Sequence, residues 1–335
     1  MKNKVAFSLS IAVLLSCLLL SVDVAGFQAQ QPPPKLSNDE TKALNAINAL
    51  TDPAAKVNAI GDFIKKYPNT PIRAQLADAV AGEIAKIKDP AQAVSLAETA
   101  QTIFGSGDGQ LAVMAVLLDS YLLADRPDDV FKVGTAILAK DPEEIHTLVQ
   151  MSFVSANQIR KQNPKFVQQG LQAGLKAIEL IEADKKPAQM DAASWANHKA
   201  QLPQIYQQVA ILSLVGGNLA EARTRAVKAT VIGPTDPTNF AVLGMVINNN
   251  YMQLATNYKT MPEGKEKQET LKKLEGLLDE VIDAYAHAVG LAVGKPEHQP
   301  MMQQLTVDLT SYYKFRHNQS TEGLQQLIDK YKPKP

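Results

Sequence analysis

Residues 217–234, GNLAEARTRAVKATVIGP, constrain the fold more than any other stretch of the chain. A Gly217-Asn218 turn opens the segment and Pro234 closes it. Between them Ala222, Ala226 and Ala229 recur at spacings of four and three. Side chains so spaced share one helix face, and their small size lets a second helix approach closely. The signature returns as Ala93, Ala97, Ala100 and as Gly170, Gly174, Ala177. A bulkier copy reads Val281, Tyr285, Ala288, and a looser one Val130, Gly134, Ile137 ends at Asp141-Pro142. Successive first positions lie 37, 40, 52 and 59 residues apart. The two longer intervals imply elongated helices or inserted turns, and the polar stretches 184–191 and 260–268 suit insertions.

The rest of the chain is punctuated as helices. Asp52-Pro53, Asp89-Pro90, Asp141-Pro142 and Asp236-Pro237 each set an N-cap acid before a proline suited to the first helical position. Loops at Pro68-Asn69-Thr70-Pro71 and Gly105–Gly109 separate further helices. From Ile145, the residues Leu148, Val149, Ser152, Ala156 and Ile159 form a stripe of helical period. Strand alternation is scarce. Most of these helices are too short to stand alone in water, so they must dock on one another.

The N-terminus is a targeting segment. Lys2 and Lys4 precede an apolar run from Val5 to Leu20 and a small-residue stretch at Val24-Ala25-Gly26, which is the layout of a secretory signal peptide. The run is shorter than the roughly 20 residues a spanning helix needs. Cleavage after Gly26 is favoured over cleavage after Ala29, where Phe27 would occupy the outer small-residue position. The single cysteine, Cys17, would carry a lipid anchor if Leu14-Leu15-Ser16-Cys17 were a lipoprotein signal. Leu15 is large for that role and the apolar run continues to Leu20, so removal without lipidation is the expectation.

The mature chain then lacks cysteine and any thiolate chemistry. Taking Lys2, Lys4 and Asp23 from 34 basic and 34 acidic residues leaves 32 against 33. No basic excess remains to hold phosphate backbones, so no nucleic-acid partner is expected. No second apolar run approaches membrane-spanning length. A periplasmic or secreted soluble protein is the expectation.

The segment at 203–236, with Tyr206, Val209 and Ala210 in its first helix and the alanine triplet in its second, resembles a tetratricopeptide repeat, a helix–turn–helix unit of 34 residues. The resemblance implies an all-α, right-handed superhelical solenoid of antiparallel helix pairs over 38–331. It follows a signal peptide at 1–26 and a Pro/Gln-rich linker at 27–37, and precedes a tail at 332–335. The clearest repeats are 74–107, 111–142 and 203–236; 143–182 and 237–294 are degenerate. A weaker unit around 62–71 and a capping helix bearing Leu324, Leu327, Ile328 and Tyr331 flank the array. In this family, ligands lie along a concave surface lined by the first helices. That places Asp119 and Leu122, Gln207 and Ile211, and Met245 and Asn248 on the binding face.

No residue pattern requires catalysis. The histidines His146, His198, His287, His298 and His317 show no spacing that pairs metal ligands on one helix face, so neither metal nor cofactor is expected. Asp128-Asp129 and Glu143-Glu144 read as first-turn acids complementing a helix dipole. Gly105–Gly109 matches no phosphate-binding fingerprint, and Asn318-Gln319-Ser320 is a chance sequon in a chain of bacterial appearance. Trp195, the sole tryptophan, could stack on a sugar but more simply staples its helix to a neighbour. Asn248-Asn249-Asn250-Tyr251 could present amides to a ligand, or could simply end a helix.

These features point to an exported, non-enzymatic repeat protein that binds a protein or peptide, in the manner of a cell-envelope assembly scaffold. The alternative is a glycan or small-molecule binding protein on the same scaffold, using Trp195 and the Asn248–Tyr251 run.

Overall fold

A computed structural model describes residues 35–188 and 190–333. The expected signal peptide with Cys17, most of the expected linker and the last two tail residues lie outside the described residues. Every long regular element within them is an α-helix, and the chain divides into two compact units at Thr147/Leu148.

The first unit holds α1 (Asn38–Asn48), α2 (Pro53–Lys66), α3 (Arg73–Ile84), α4 (Pro90–Phe104), α5 (Gln110–Leu123) and α6 (Pro127–Leu138). α2 packs on α3 and α4, α3 on α5, and α5 lies against both α4 and α6. Val57, Ala77, Val80, Phe104, Val113 and Leu118 are wholly buried between them.

In the second unit, α7 (Ile145–Arg160) begins within the last three residues of the first. It is followed by α8 (Val167–Glu182), α9 (Ala192–Ala200), α10 (Leu202–Val215) and α11 (Leu219–Ile232). Then come α12 (Pro237–Thr260), α13 (Lys265–Ala292), α14 (Gln299–Arg316) and the short α15 (Leu324–Asp329). A 14-residue helix such as α10 is marginal alone. Full burial of Ile205, Val209 and Leu212 holds it in place, each contributing about 1.5–3 kcal/mol.

Small residues sit where helices touch. Ala97, Ala100, Ala177, Ala222, Ala226 and Ala229 are 0% exposed and Ala93 2%. Gly170 and Gly174 on α8 are buried against α7. A Cβ on Gly174 would fall 2.5 Å from Ser152 Oγ and 2.6 Å from Val209 Cγ2, so glycine alone permits this approach between three helices. The looser and bulkier copies are buried too, at Val130, Gly134 and Ile137 and at Val281, Tyr285 and Ala288.

The two long intervals have different causes. The 170–222 interval accommodates an added helix, α9, capped by Asp191, whose carboxylate accepts from Ser194 N at 2.8 Å. The 222–281 interval comes from helix length, since α12 has 24 residues and α13 has 28, against 14 each in α10 and α11.

Three of the four Asp-Pro caps form as expected. Asp52 accepts from Ala55 N, Asp89 from Gln92 N, and Asp236 from Thr238 N. Asp141-Pro142 does not start a helix. Asp141 Oδ1 instead accepts from Glu143 N at 3.1 Å in a turn, and α7 begins at Ile145. Its first amides are taken by Glu144, which accepts from Thr147 N at 2.6 Å and from His146 N at 3.3 Å. A longer carboxylate nearer the helix displaces the aspartate as cap.

Leu324 and Ile328 of α15 are buried in a cluster with α13 and α14. There His287 is stacked between Phe240, with centroids 3.6 Å apart, and Tyr331, 4.0 Å away. The Tyr331 hydroxyl donates to Asp283 on α13. The C-terminal turn is thereby bound to the last long hairpin.

Candidate functional site

The length of α12 sets the most promising surface. Met245 is 37% exposed and Met252 53%, and residues seven apart lie on one helix face. Between them Asn248 holds its Oδ1 buried with no hydrogen-bond partner in the described structure. Burying an acceptor unmade costs about 1–3 kcal/mol. Tyr251 is half-buried one turn further on, edge-on to Tyr312 at 6.4 Å, and Tyr285 completes the aromatic group. Burial, then the neighbouring Tyr312, pushes the Tyr251 phenol upward. The asparagine run does not end the helix, which continues to Thr260. Asn249 instead accepts from Gln253 Nε2 at 2.8 Å, one turn on, so a side-chain bond offsets poor propensity.

Asp119, on α5, is half-exposed and faces His146, with Oδ1 2.8 Å from Nε2. Burial lowers the imidazole's affinity for a proton, but the Asp119 hydrogen bond and charge, with Glu144 beside it, outweigh burial and raise its pKa. Leu122 and Ile211 are partly buried.

Two expected binding residues lie inside the protein. Gln207 is 4% exposed, and its amide donates to Asp236 Oδ2 at 3.1 Å and to Asn239. It joins α10 to the start of α12 and lines no surface, because α12 covers that face. Trp195 is also 4% exposed, and its Nε1 donates to Asp184 Oδ1 at 2.9 Å. The indole ties Asp184, just past α8, to α9, and so buried it offers no face for sugar stacking. The stapling role is the one the structure shows.

One arrangement had no signal in the sequence. Tyr121 OH donates to Glu98 Oε1 at 3.0 Å, and the Arg126 guanidinium lies 4.5 Å from the ring centroid. In the second unit Tyr206 donates to Glu182 beneath Arg225, 5.7 Å from the ring. Burial, then the carboxylate, pushes each phenol up to about 12. The partners are 23 and 24 residues apart, so only packing brings them together.

Among the described residues, no group of three or more His, Cys, Asp or Glu could hold a metal ion. No described helix is long and apolar enough to cross a membrane.

The close-packed hairpins with small residues at their contacts define an all-α, tetratricopeptide-like helical-repeat protein. No family model matches the sequence, and no curated protein matches it. Among solved structures it is similar to a tetratricopeptide repeat protein from Parabacteroides merdae, at 11% identity and TM-score 0.41, over 87% of this chain and 98% of that one. It is also similar to a thermophilic tetratricopeptide protein from Thermus thermophilus, at 13% identity and TM-score 0.37, over 72% and 98% of the two chains. A third is the human IFIT1 dimer with m7Gppp-AAAA, at 13% identity and TM-score 0.38, over 87% of this chain and 62% of that one. At these scores the likenesses add nothing to what the helix pairs themselves show.

Proposed function

We propose that this is an exported, non-enzymatic helical-repeat protein that binds a protein segment, as a scaffold in cell-envelope assembly, through the Met245–Met252 face of α12. The reading is supported chiefly by one observation, the Asn248 acceptor buried without a partner between two exposed methionines. Thioethers adapt to varied apolar side chains. Turned outward, the Asn248 amide oxygen would take a backbone N–H of the bound segment. Packed hairpins hold such a face in place before binding, so little ordering entropy opposes association. Equal numbers of acidic and basic residues favour a protein over a phosphate-rich partner. Export is inferred from the N-terminal 26 residues alone.

The test is a photo-crosslinking amino acid placed at Met252 in the full chain, in cells, with Lys140 at the end of α6 as the control position. A discrete adduct formed at 252 and absent at 140, whose protein rebinds purified chain but not the Asn248→Leu variant, is the expected result. Equal labelling at both positions, or rebinding indifferent to Asn248, overturns the reading. Mass spectrometry of the recovered N-terminus tests export: an intact Met1 in the soluble cell fraction would contradict it.

A further inference from the structure

The opposite side of α5 from Asp119 borders a cavity of about 310 Å³, within the range of small-ligand sites. Met114, Leu117 and Tyr121 follow at helical spacings of three and four, and Asp119, two residues from Leu117 and Tyr121, falls on the other side. The cavity therefore lies between α4 and α6, apart from both the Asp119–His146 pair and the α12 face. Met114 and Leu117, each 5% exposed, form an apolar floor with Val133 and Ala136 of α6.

The walls carry acceptors. Gln101 lines the cavity, and its Oε1 is buried beneath the wall with no hydrogen-bond partner among the described residues, so the side chain must turn to present it. Glu98 and Asp129 line it too. Their internal bonds use one oxygen of each: Glu98 Oε1 takes Tyr121 OH and Arg126 at 3.4 Å, and Asp129 Oδ2 takes Arg126 Nε at 2.6 Å. The second oxygen of each carboxylate takes no part in these bonds, and the Gln101 carbonyl becomes an acceptor once its side chain turns toward the cavity. The one cationic wall residue, Lys132, is exposed and its ammonium is free to turn to solvent.

We infer that this cavity binds an apolar group ending in a cationic N–H donor, an alkyl- or aralkylammonium, with the hydrocarbon on Met114 and Leu117 and the ammonium among Gln101, Glu98 and Asp129. An apolar floor alone would not discriminate among head groups. Arg126 offsets one of the two carboxylate charges, and the remaining negative charge, with the Gln101 carbonyl, selects a donor over an acceptor. The ammonium could belong to a free amine or to a lysine side chain of a peptide, and the two sources differ in whether backbone groups add to affinity.

The experiment titrates the full mature chain with hexylammonium, hexanol and hexanoate, and with the capped dipeptide acetyl-Leu-Lys-amide. It follows the Met114 methyl resonance, identified by its loss in Met114→Leu. Expected is saturable movement of that resonance with hexylammonium, at least tenfold tighter than hexanol, and none with hexanoate. Gln101→Leu should weaken hexylammonium at least fivefold, and Leu117→Trp, which fills the floor, should abolish it. Both variants must retain the wild-type helical circular-dichroism spectrum. If Leu117→Trp unfolds the chain, Val133→Phe fills the same floor from α6. Dipeptide binding tenfold tighter than hexylammonium assigns the site to a peptide lysine, and equal or weaker binding assigns it to a free amine. Hexanoate or hexanol binding as tightly as hexylammonium, or an unmoved Met114 methyl at 10 mM hexylammonium (a probe concentration of about the weakest small-fragment affinities), overturns the inference. Neither result bears on the α12 crosslink.

Discussion

His146 Nε2 lies 2.8 Å from Asp119 Oδ1, at the point where α7 begins beside α5. The pair makes the first unit sensitive to pH. Asp119 and Glu144 raise the His146 pKa above its unfolded value, so the folded state binds the proton more tightly. Its contribution is complete below the unfolded pKa of about 6.5 and is lost as pH rises through the folded pKa. Asp119→Asn should therefore destabilise by about 1 kcal/mol at pH 5.5, reduced from the range for charged bonds because Asp119 is half-exposed. At pH 9 it should be nearly neutral. Urea denaturation at the two pH values checks this, and an equal loss at both would refute it.

His287 carries the opposite sign. Burial between Phe240 and Tyr331 lowers its pKa; Asp283 opposes the shift and Lys330 adds to it. The neutral ring favours the fold, so stability is full above pH 6.5 and declines as pH falls below it toward the lowered folded value. His287→Phe should flatten that decline between pH 6.5 and 5, seen as a smaller shift in denaturation midpoint. Tyr331→Ala should expose α15 to rapid amide exchange while α13 stays protected.

Ala226 is 0% exposed in a cluster with Ala210, Ala222, Val242 and Val246. Ala226→Leu overfills this contact and should cost about 1–3 kcal/mol. Val231→Ser, on the same helix but 69% exposed, should change stability by less than about 0.5 kcal/mol. Chemical denaturation of both variants separates them, and comparable losses would mean that α11 is not packed by its alanine face.

Glu144 caps α7 in place of Asp141. Glu144→Ala should cost about 1 kcal/mol, the usual loss for an N-cap, while Asp141→Ala should cost less because it removes only a turn bond. Thermal melts of the two variants are the measurement, and the reverse order would restore Asp141 as the helix start.

Trp195 is the only tryptophan and is buried with its indole bonded to Asp184, so its emission reports that contact. Emission should be blue-shifted and poorly quenched by iodide in the folded chain, and unchanged across an oligosaccharide panel. Strong quenching, or a saturable response to a sugar, would place the indole at the surface.

The helix hairpins were legible because their information is local. Ala222, Ala226 and Ala229 specify a contact face through spacing alone, and Asp52, Asp89 and Asp236 mark helix starts through bonds spanning two or three residues. The exposure of the expected binding residues was less legible. Asp119, Met245, Asn248 and Tyr251 stand on accessible or half-buried surface, but Gln207 and Trp195 do not. Whether a helix position faces solvent depends on which later helix covers it. α12 folds over Gln207, and Trp195 is buried with its indole bonded to Asp184. The cavity beside α5 was invisible for the same reason, since Gln101, Met114 and Val133 come from three helices with no common period.

What the sequence by itself determined is the kind of element and the places of closest approach. Backbone hydrogen bonding, capping and side-chain volume act over one or two turns and are written in residue spacing. Tertiary structure alone decided which polar groups are satisfied inside the protein and which remain open to a partner, because that depends on atoms brought together from residues 20 to 60 apart. The Asn248 and Gln101 carbonyls are defined as acceptors by chemistry, but only packing leaves them buried without a hydrogen-bond partner among the described residues.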